Sequence, residues 1–144
     1  MMLPDVNVLI YAFRQDSAQH SVCRPWLVNV LSSDTRFGLS QLTLAAVVRI
    51  TTGPAYKNPS STEEAFRFCY YLLGQSHCQL VEPGHRHWEI FKRLCIETNT
   101  RGPRVTDAWF AALAIEWGCE WITTDRDYAR FPGLKWSNPA PSVT

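Results

Sequence analysis

Apolar and polar positions divide this 144-residue chain into short apolar runs alternating with longer amphipathic stretches. Leu3 to Ala12 is almost continuously apolar, with Asp5 and Asn7 as its polar members. Such a run reads as a strand buried on both faces, the usual situation in a parallel sheet. After a break at Asp16 and Ser17, the spacing of Val22, Trp26 and Val30 predicts a helix over Ala18–Leu31. Arg36–Leu39 reads as a second strand. Ser40–Thr51 reads as a helix with Leu44, Val47 and Val48 on its apolar face. Gly53, Pro54, Asn58 and Pro59 mark a loop. Thr62, followed by Glu63 and Glu64, starts a helix that runs to about Leu73. Cys78–Val81 is a short strand, and the helix after it carries Trp88, Phe91, Leu94 and Cys95. After a loop over Thr98–Pro103, Thr106 is expected to cap a helix from Asp107 to Trp117, with Gly118 just past its end. Cys119–Thr123 is a strand, Thr124–Asp127 a turn, Asp127–Phe131 about one helical turn, and the Pro-rich remainder irregular. Alternating strands and helices predict an α/β fold with a mostly parallel sheet and helices on both faces. With no repeat, low-complexity block or linker, one domain over residues 1–144 is expected.

Composition narrows the class. An apolar share of 46% and a charged share of 19% suit a packed core and exclude disorder. No apolar run approaches the roughly 18 residues that span a bilayer. Asp5 sits where a signal peptide would be apolar, so a cytoplasmic protein is expected. The five cysteines are scattered and include no C-x-x-C pair, which reads as buried free thiols. A net charge of +1 supplies no broad basic surface. If nucleic acid is the substrate, the basic groups must cluster locally. Arg101, Arg104, Arg126, Arg130 and Lys135 fall close to the late acidic segments and permit such a cluster.

Three acids combine fold position with chemistry. Asp5 lies in the first strand, Asp107 in the first turn of a late helix, and Asp125 straight after the last well-formed strand. Sites in open parallel sheets form outside the carboxyl ends of the strands. A carboxylate in an apolar strand is costly unless paired or bound to metal. Gathered carboxylates repel one another until a cation neutralises them. Oxygen-only ligands suit Mg²⁺ or Mn²⁺ rather than zinc. Such an ion activates water and stabilises charge on a phosphoryl oxygen. Each acid also has a plain structural reading: Asp107 as a helix-start acid, Asp125 as a turn residue, and Asp5 as a buried polar group.

The segment Leu3-Pro4-Asp5-Val6-Asn7-Val8-Leu9-Ile10-Tyr11-Ala12 resembles the opening strand of PIN domains of the VapC toxin type. Val105-Thr106-Asp107-Ala108-Trp109-Phe110 resembles the start of their late acidic helix, and Trp121-Ile122-Thr123-Thr124-Asp125-Arg126-Asp127 their final strand and acidic turn. The tail Pro132-Gly133-Leu134-Lys135-Trp136-Ser137-Asn138-Pro139 is similar to that of one VapC branch. The motifs occur in the family order and span nearly the whole chain. The resemblance implies a three-layer α/β/α sandwich and a Mg²⁺ or Mn²⁺ site. It further implies endoribonuclease activity on RNA, an inhibitory VapB-like antitoxin partner that lays a peptide across the active-site groove, and a homodimer. It assigns Asp5 and Asp107 to the central metal-binding acids and Asp125 to a further acid. Asn7 and Thr124 match polar positions that orient these acids, with Thr106 beside them. Asp127 is expected to cap the next turn.

One departure stands out. Many family members carry Ser-x-x-Thr-x-x-Glu in the helix after the second strand, and here Ser40, Thr43 and Ala46 fill those positions. The missing acid predicts weaker metal affinity, or one ion rather than two. Glu63 and Glu64 read as ordinary helix-start residues. His85 and His87, two apart, do not share a helical face and read as surface residues. Trp26, Trp88, Trp109, Trp117 and Trp121 read as core, and Trp136 as more open. Two other functions compete: a PIN-like module that lost its chemistry and binds RNA or the antitoxin, and a phosphatase with Asp5 as nucleophile. The second is disfavoured, because that chemistry wants an acid two residues on, where Asn7 stands.

Overall fold

The apolar run at the N-terminus splits in two. In the computed structural model, which describes residues 1–141, strand β1 covers only Met2–Pro4 and the run continues as helix α1, Val6–Phe13. This corrects the single strand expected over Leu3–Ala12. The Asp5 carboxylate makes the break, its Oδ1 accepting the Val6 N–H at 2.7 Å as the cap of α1. An all-apolar run suits a buried strand and a buried helix equally. α1 is of the second kind, with Val6, Val8, Leu9, Ile10 and Ala12 all buried.

The other elements keep the expected order: α2 (His20–Ser32), β2 (Phe37–Leu39), α3 (Gln41–Thr51), α4 (Thr62–Leu73), β3 (Cys78–Leu80), α5 (His87–Thr98), α6 (Val105–Trp117), β4 (Glu120–Ile122) and β5 (Trp136–Ser137). Ser40 caps α3 by accepting the Thr43 N–H, and Ser61 caps α4 by accepting the Glu64 N–H, both at 3.1 Å. Gly118 ends α6 in the left-handed region at φ 65°, as its position beyond the helix predicted. Thr106 is not the cap of α6. A 3-10 turn at Gly102–Arg104 runs straight into Val105 and places Thr106 inside the first helical turn. The tail expected to be irregular contributes β5, too short for its alternation to register. Its last three residues, 142–144, lie outside the described part.

The five strands form one parallel sheet in the order β3-β2-β1-β4-β5. The chain builds outward from the central β1 to β2 and β3, then crosses back to lay β4 and β5 on the other side. That reversal opens a crevice at the carboxyl ends of β1 and β4, where α/β sheets bind ligands. α3 follows the carboxyl end of β2 directly and so begins at this rim. α6, which follows α5 and leads into β4, has its first turn there as well, where Thr106 and Asp107 line the same cleft as Asp5.

Leu3, Phe37, Leu39, Trp121 and Ile122 fill the sheet's faces and are essentially inaccessible. Trp121 stacks on Phe110 of α6 with ring centroids 5.4 Å apart. The cysteines are free, with Cys23, Cys69 and Cys119 buried. Three expectations fail here. Trp88 and Trp117, expected in the core, are exposed at 65% and 41%. His87, expected on the surface, is buried, and its Nε2 lies 2.9 Å from the Trp109 carbonyl, tying α5 to α6. Periodicity assigned the right helix but the wrong face of it. Among the described residues, no helix is long and apolar enough to cross a membrane.

Gly38, in β2, is held by close packing. A Cβ there would stand 2.6 Å from Val81 Cγ2 and 3.3 Å from Leu3 Cδ1. Gly38→Ala is expected to destabilise the chain by about 1–3 kcal/mol in urea unfolding, as overpacking does. Adding Val81→Ala should recover part of that loss; a strictly additive double variant would show that the clash is not the cause.

Candidate active site

Asp5, Asp107 and Asp125 line one cleft of about 200 Å³ at the crevice between β1 and β4. Each arrives by a different local device. Asp5 is the first residue past β1 and the cap of α1. Asp107 projects from the first turn of α6, whose N-terminus faces the rim. Asp125 follows β4 and caps a 3-10 turn, Arg126–Arg130, accepting the Asp127 N–H at 2.9 Å. The cap of that turn is therefore Asp125 rather than Asp127, which is exposed and 3.4 Å from Arg104.

Asp5 is the buried member, 7% exposed. Besides the Val6 N–H, its carboxylate receives the Thr123 hydroxyl, with Oγ1 2.7 Å from Oδ2. The same Thr123 oxygen accepts the Asp125 N–H at 3.0 Å. One buried hydroxyl thus orients two of the three acids. The sequence pointed to Thr124 for this role. The register decides otherwise: Pro4 pairs with Ile122, so the residue after β1 meets the residue after Ile122. Asn7 and Thr106 line the cleft as exposed residues.

Burial dominates the electrostatics. It raises the Asp5 pKa to about 6; the Thr123 and Val6 donors pull it down, and the charges of Asp107 and Asp125 push it up. Asp107 is raised as well, first by burial, with Arg130 opposing and Asp125 adding to the rise. Arg130 Nη2 lies 3.5 Å from Asp107 Oδ2, while its Nη1 donates to the Asp127 carbonyl at 2.7 Å. Its guanidinium sits 4.2 Å from the Phe131 ring centre. The Tyr128 hydroxyl, buried beneath the acids, lies 3.4 Å from Asp107 Oδ1.

Ala46 lines the cleft with Arg49 one turn further along α3, so no carboxylate enters from that helix. Glu63 and Glu64 stay in the first turn of α4 and do not compensate. Of the basic residues near the acidic motifs, Arg130 and Arg104 make acid contacts, while Arg101, Arg126 and Lys135 are exposed. The donor set is oxygen-only, and two of its acids are held above their ordinary range by burial and mutual repulsion. That chemistry fits a hard divalent cation. Among the described residues, no three His, Cys, Asp or Glu side chains are drawn together as a finished metal cage.

Two variants probe this arrangement directly. A carboxyl group raised by burial holds its proton more tightly in the folded chain than in the unfolded one, so it lowers stability as pH rises from about 4 through about 6. At about 1.4 kcal/mol per pKa unit the full penalty is roughly 3 kcal/mol above pH 6. Asp5→Asn is accordingly expected to raise the melting temperature in EDTA at pH 7.5, with the gain shrinking to nothing near pH 4. A pH-independent gain would remove burial of charge as its cause. Thr123→Val keeps the shape but loses both hydrogen bonds. It is expected to lower any activity of the site by roughly 10–100-fold, whereas Thr124→Val should leave it within about twofold.

Comparison with known proteins identifies the family. The PIN domain family model matches residues 2–134. Ribonuclease VapC25 of Mycobacterium tuberculosis is 36% identical over 140 residues, covering 96% of this chain and 99% of the relative. Ribonuclease VapC43 of the same organism is 34% identical over 145 residues, covering 100% and 99%. Among solved structures, VapBC2 from Rickettsia felis, bound to a DNA fragment from its promoter, superposes with a TM-score of 0.71 at 16% identity, over 95% of this chain and 97% of that one. The sarcin-ricin loop cleaving toxin VapC20 of Mycobacterium tuberculosis does so with 0.70 at 12%, over 93% and 98%. With a family model over nearly its whole length and full-length relatives above one-third identity, this chain belongs to the PIN domain family, in its VapC ribonuclease branch.

Proposed function

We propose that this chain is the toxin of a toxin–antitoxin pair, a Mg²⁺- or Mn²⁺-dependent endoribonuclease whose metal-holding and catalytic acids are Asp5, Asp107 and Asp125. The observation that carries the reading is the meeting of these three acids in one cleft at the sheet's switch point, with Asp5 buried. The ribonuclease names of the full-length relatives support the activity, and the VapBC assemblies among the structural neighbours support a cognate antitoxin as partner. RNA as substrate and a homodimer complete the proposal.

A divalent ion held by these acids would supply a Lewis acid for a phosphoryl oxygen and a water of lowered pKa. The protein's own residues do the rest. Thr123 fixes the Asp5 carboxylate and the turn that presents Asp125. Tyr128 and Arg130 each approach one oxygen of Asp107 and limit its freedom. Arg49 places a positive charge on the α3 wall, where an RNA phosphate is attracted. A second reading, a binding module without chemistry, is favoured by one observation: Ala46 leaves the α3 wall without an acid.

Purified chain free of antitoxin is expected to cut RNA at discrete positions with Mg²⁺ or Mn²⁺ and not with EDTA. Asp5→Asn and Asp107→Asn should each abolish cutting, and each should also lose the rise in melting temperature that Mn²⁺ gives the wild type. A folded, metal-supplied wild type that binds RNA but cuts nothing would favour the binding module. Cutting that survives both substitutions would mean the cleft is the wrong site.

A further inference from the structure

The acid cleft, at about 200 Å³, is smaller than the roughly 300–1,000 Å³ of ordinary small-ligand sites. It has room for the scissile phosphate but not for the nucleotides on either side. A second hollow of about 550 Å³ adjoins it, and Asn7 and Ile50 line both. Its far wall carries Tyr11, Tyr56, Ser17 and Lys57. Resting on the nuclease reading, we propose that this hollow binds a nucleotide of single-stranded RNA adjoining the scissile phosphate, with its base against the two tyrosines and a neighbouring phosphate on Lys57.

The hollow is built rather than incidental. Tyr56 and Lys57 sit on the loop between α3 and α4, which a single arginine holds in place. Arg14 Nη1 donates to Ser60 Oγ at 2.9 Å, and its Nη2 donates to the Asn58 carbonyl at 2.7 Å. Its guanidinium covers the Tyr56 ring, 4.3 Å from the centre. The Tyr56 hydroxyl lies 3.1 Å from Ser17 Oγ, and the Ser60 N–H donates to the Thr51 carbonyl at 2.9 Å. The tyrosine is therefore fixed before a ligand arrives, and little ordering is left for binding to cost.

The charges suit a polyanion. Asp16 is the one acid lining the hollow, and Arg14 holds it from two nitrogens at 2.9 and 2.6 Å. That pairing keeps its carboxyl below the usual range and cancels its charge. Lys57 is exposed beside it, so the wall presents one free positive charge among the lining residues. Tyr11 lines this hollow, and burial raises its hydroxyl above the usual range, with Tyr56, Cys23 and Asp5 adding to the rise. Flat rings beside an isolated cation form the platform that binds single strands, where a stacked base is worth about 1–3 kcal/mol.

The test uses the full chain and RNA already shown to be cut by the wild type. Lys57→Ala and Tyr56→Ala are each expected to raise KM roughly tenfold with kcat within about twofold, and Tyr56→Phe should behave as wild type. Melting temperatures confirm folding, and Lys57, being exposed, should leave stability unchanged. Independently of catalysis, RNA carrying 4-thiouridine next to the cleavage site, irradiated in EDTA, should crosslink to the peptide bearing Tyr56. Unchanged KM in both alanine variants with crosslinks elsewhere overturns the inference while leaving the nuclease reading intact. Variants that lose inhibition by the copurified antitoxin but keep the wild-type KM assign the hollow to the protein partner instead, which also overturns it. A wild type that cuts this RNA but forms no crosslink to the peptide bearing Tyr56 likewise overturns the inference and leaves the nuclease reading standing.

Discussion

The structure turns on a carboxylate kept where water barely reaches it. Asp5 holds together the end of β1, the start of α1 and the loop leaving β4, through the Val6 N–H and the Thr123 hydroxyl. An ionised acid so placed is costly, and the two donors offset only part of that cost, since its pKa still stands at about 6. A group that weakens the fold and is nonetheless set at the sheet's switch point is what the proposed metal-holding role of Asp5 would require.

The neighbouring elements are arranged around that position. Parallel pairing of β1 with β4 brings Thr123 opposite Asp5, and the antiparallel return of α6 brings Asp107 to the same rim. The aromatic series Phe110, Trp121, Tyr128 and Phe131 packs beneath the cleft, with successive ring centres 5.4 to 5.9 Å apart. A stiff floor of this kind sets where Asp107 and Arg130 stand, because both approach the cleft from residues packed on it.

Much of this was legible in the residues, and what escaped has physical causes. Element order, the α/β class and the three acids follow from runs and breaks that reflect local chemistry, such as the polar break at Asp16 and Ser17, the Gly and Pro loop after Thr51 and the glycine after Trp117. The strand that proved to be half helix escaped because full burial removes periodicity from both element types. Thr123 escaped because the choice between adjacent threonines depends on cross-strand register, which is a non-local quantity. Knowing that β1 ends at Pro4 would have been the signal, since Asp5 then faces the residue after Ile122. His87 and Trp88 exchanged their expected places because one residue along a helix is a rotation of about 100°, enough to carry an aromatic group from the α6 contact into solvent.

The alanine at position 46 gains meaning from the charges around it. A site with a fourth acid would carry more negative charge than one divalent ion can balance. Here the formal charges are three carboxylates, and Arg130 beside Asp107 offsets one of them. The remaining two match a single divalent cation. Arg49, on the same α3 wall as Ala46, then faces a cleft that one ion would leave near neutrality. Repulsion toward an incoming phosphate is then lower than in a cleft left with net negative charge. On this argument the absent acid and the present arginine belong together: the first would leave a single ion sufficient for the proposed site, and the second supplies positive charge from a side chain that needs no ion to carry it.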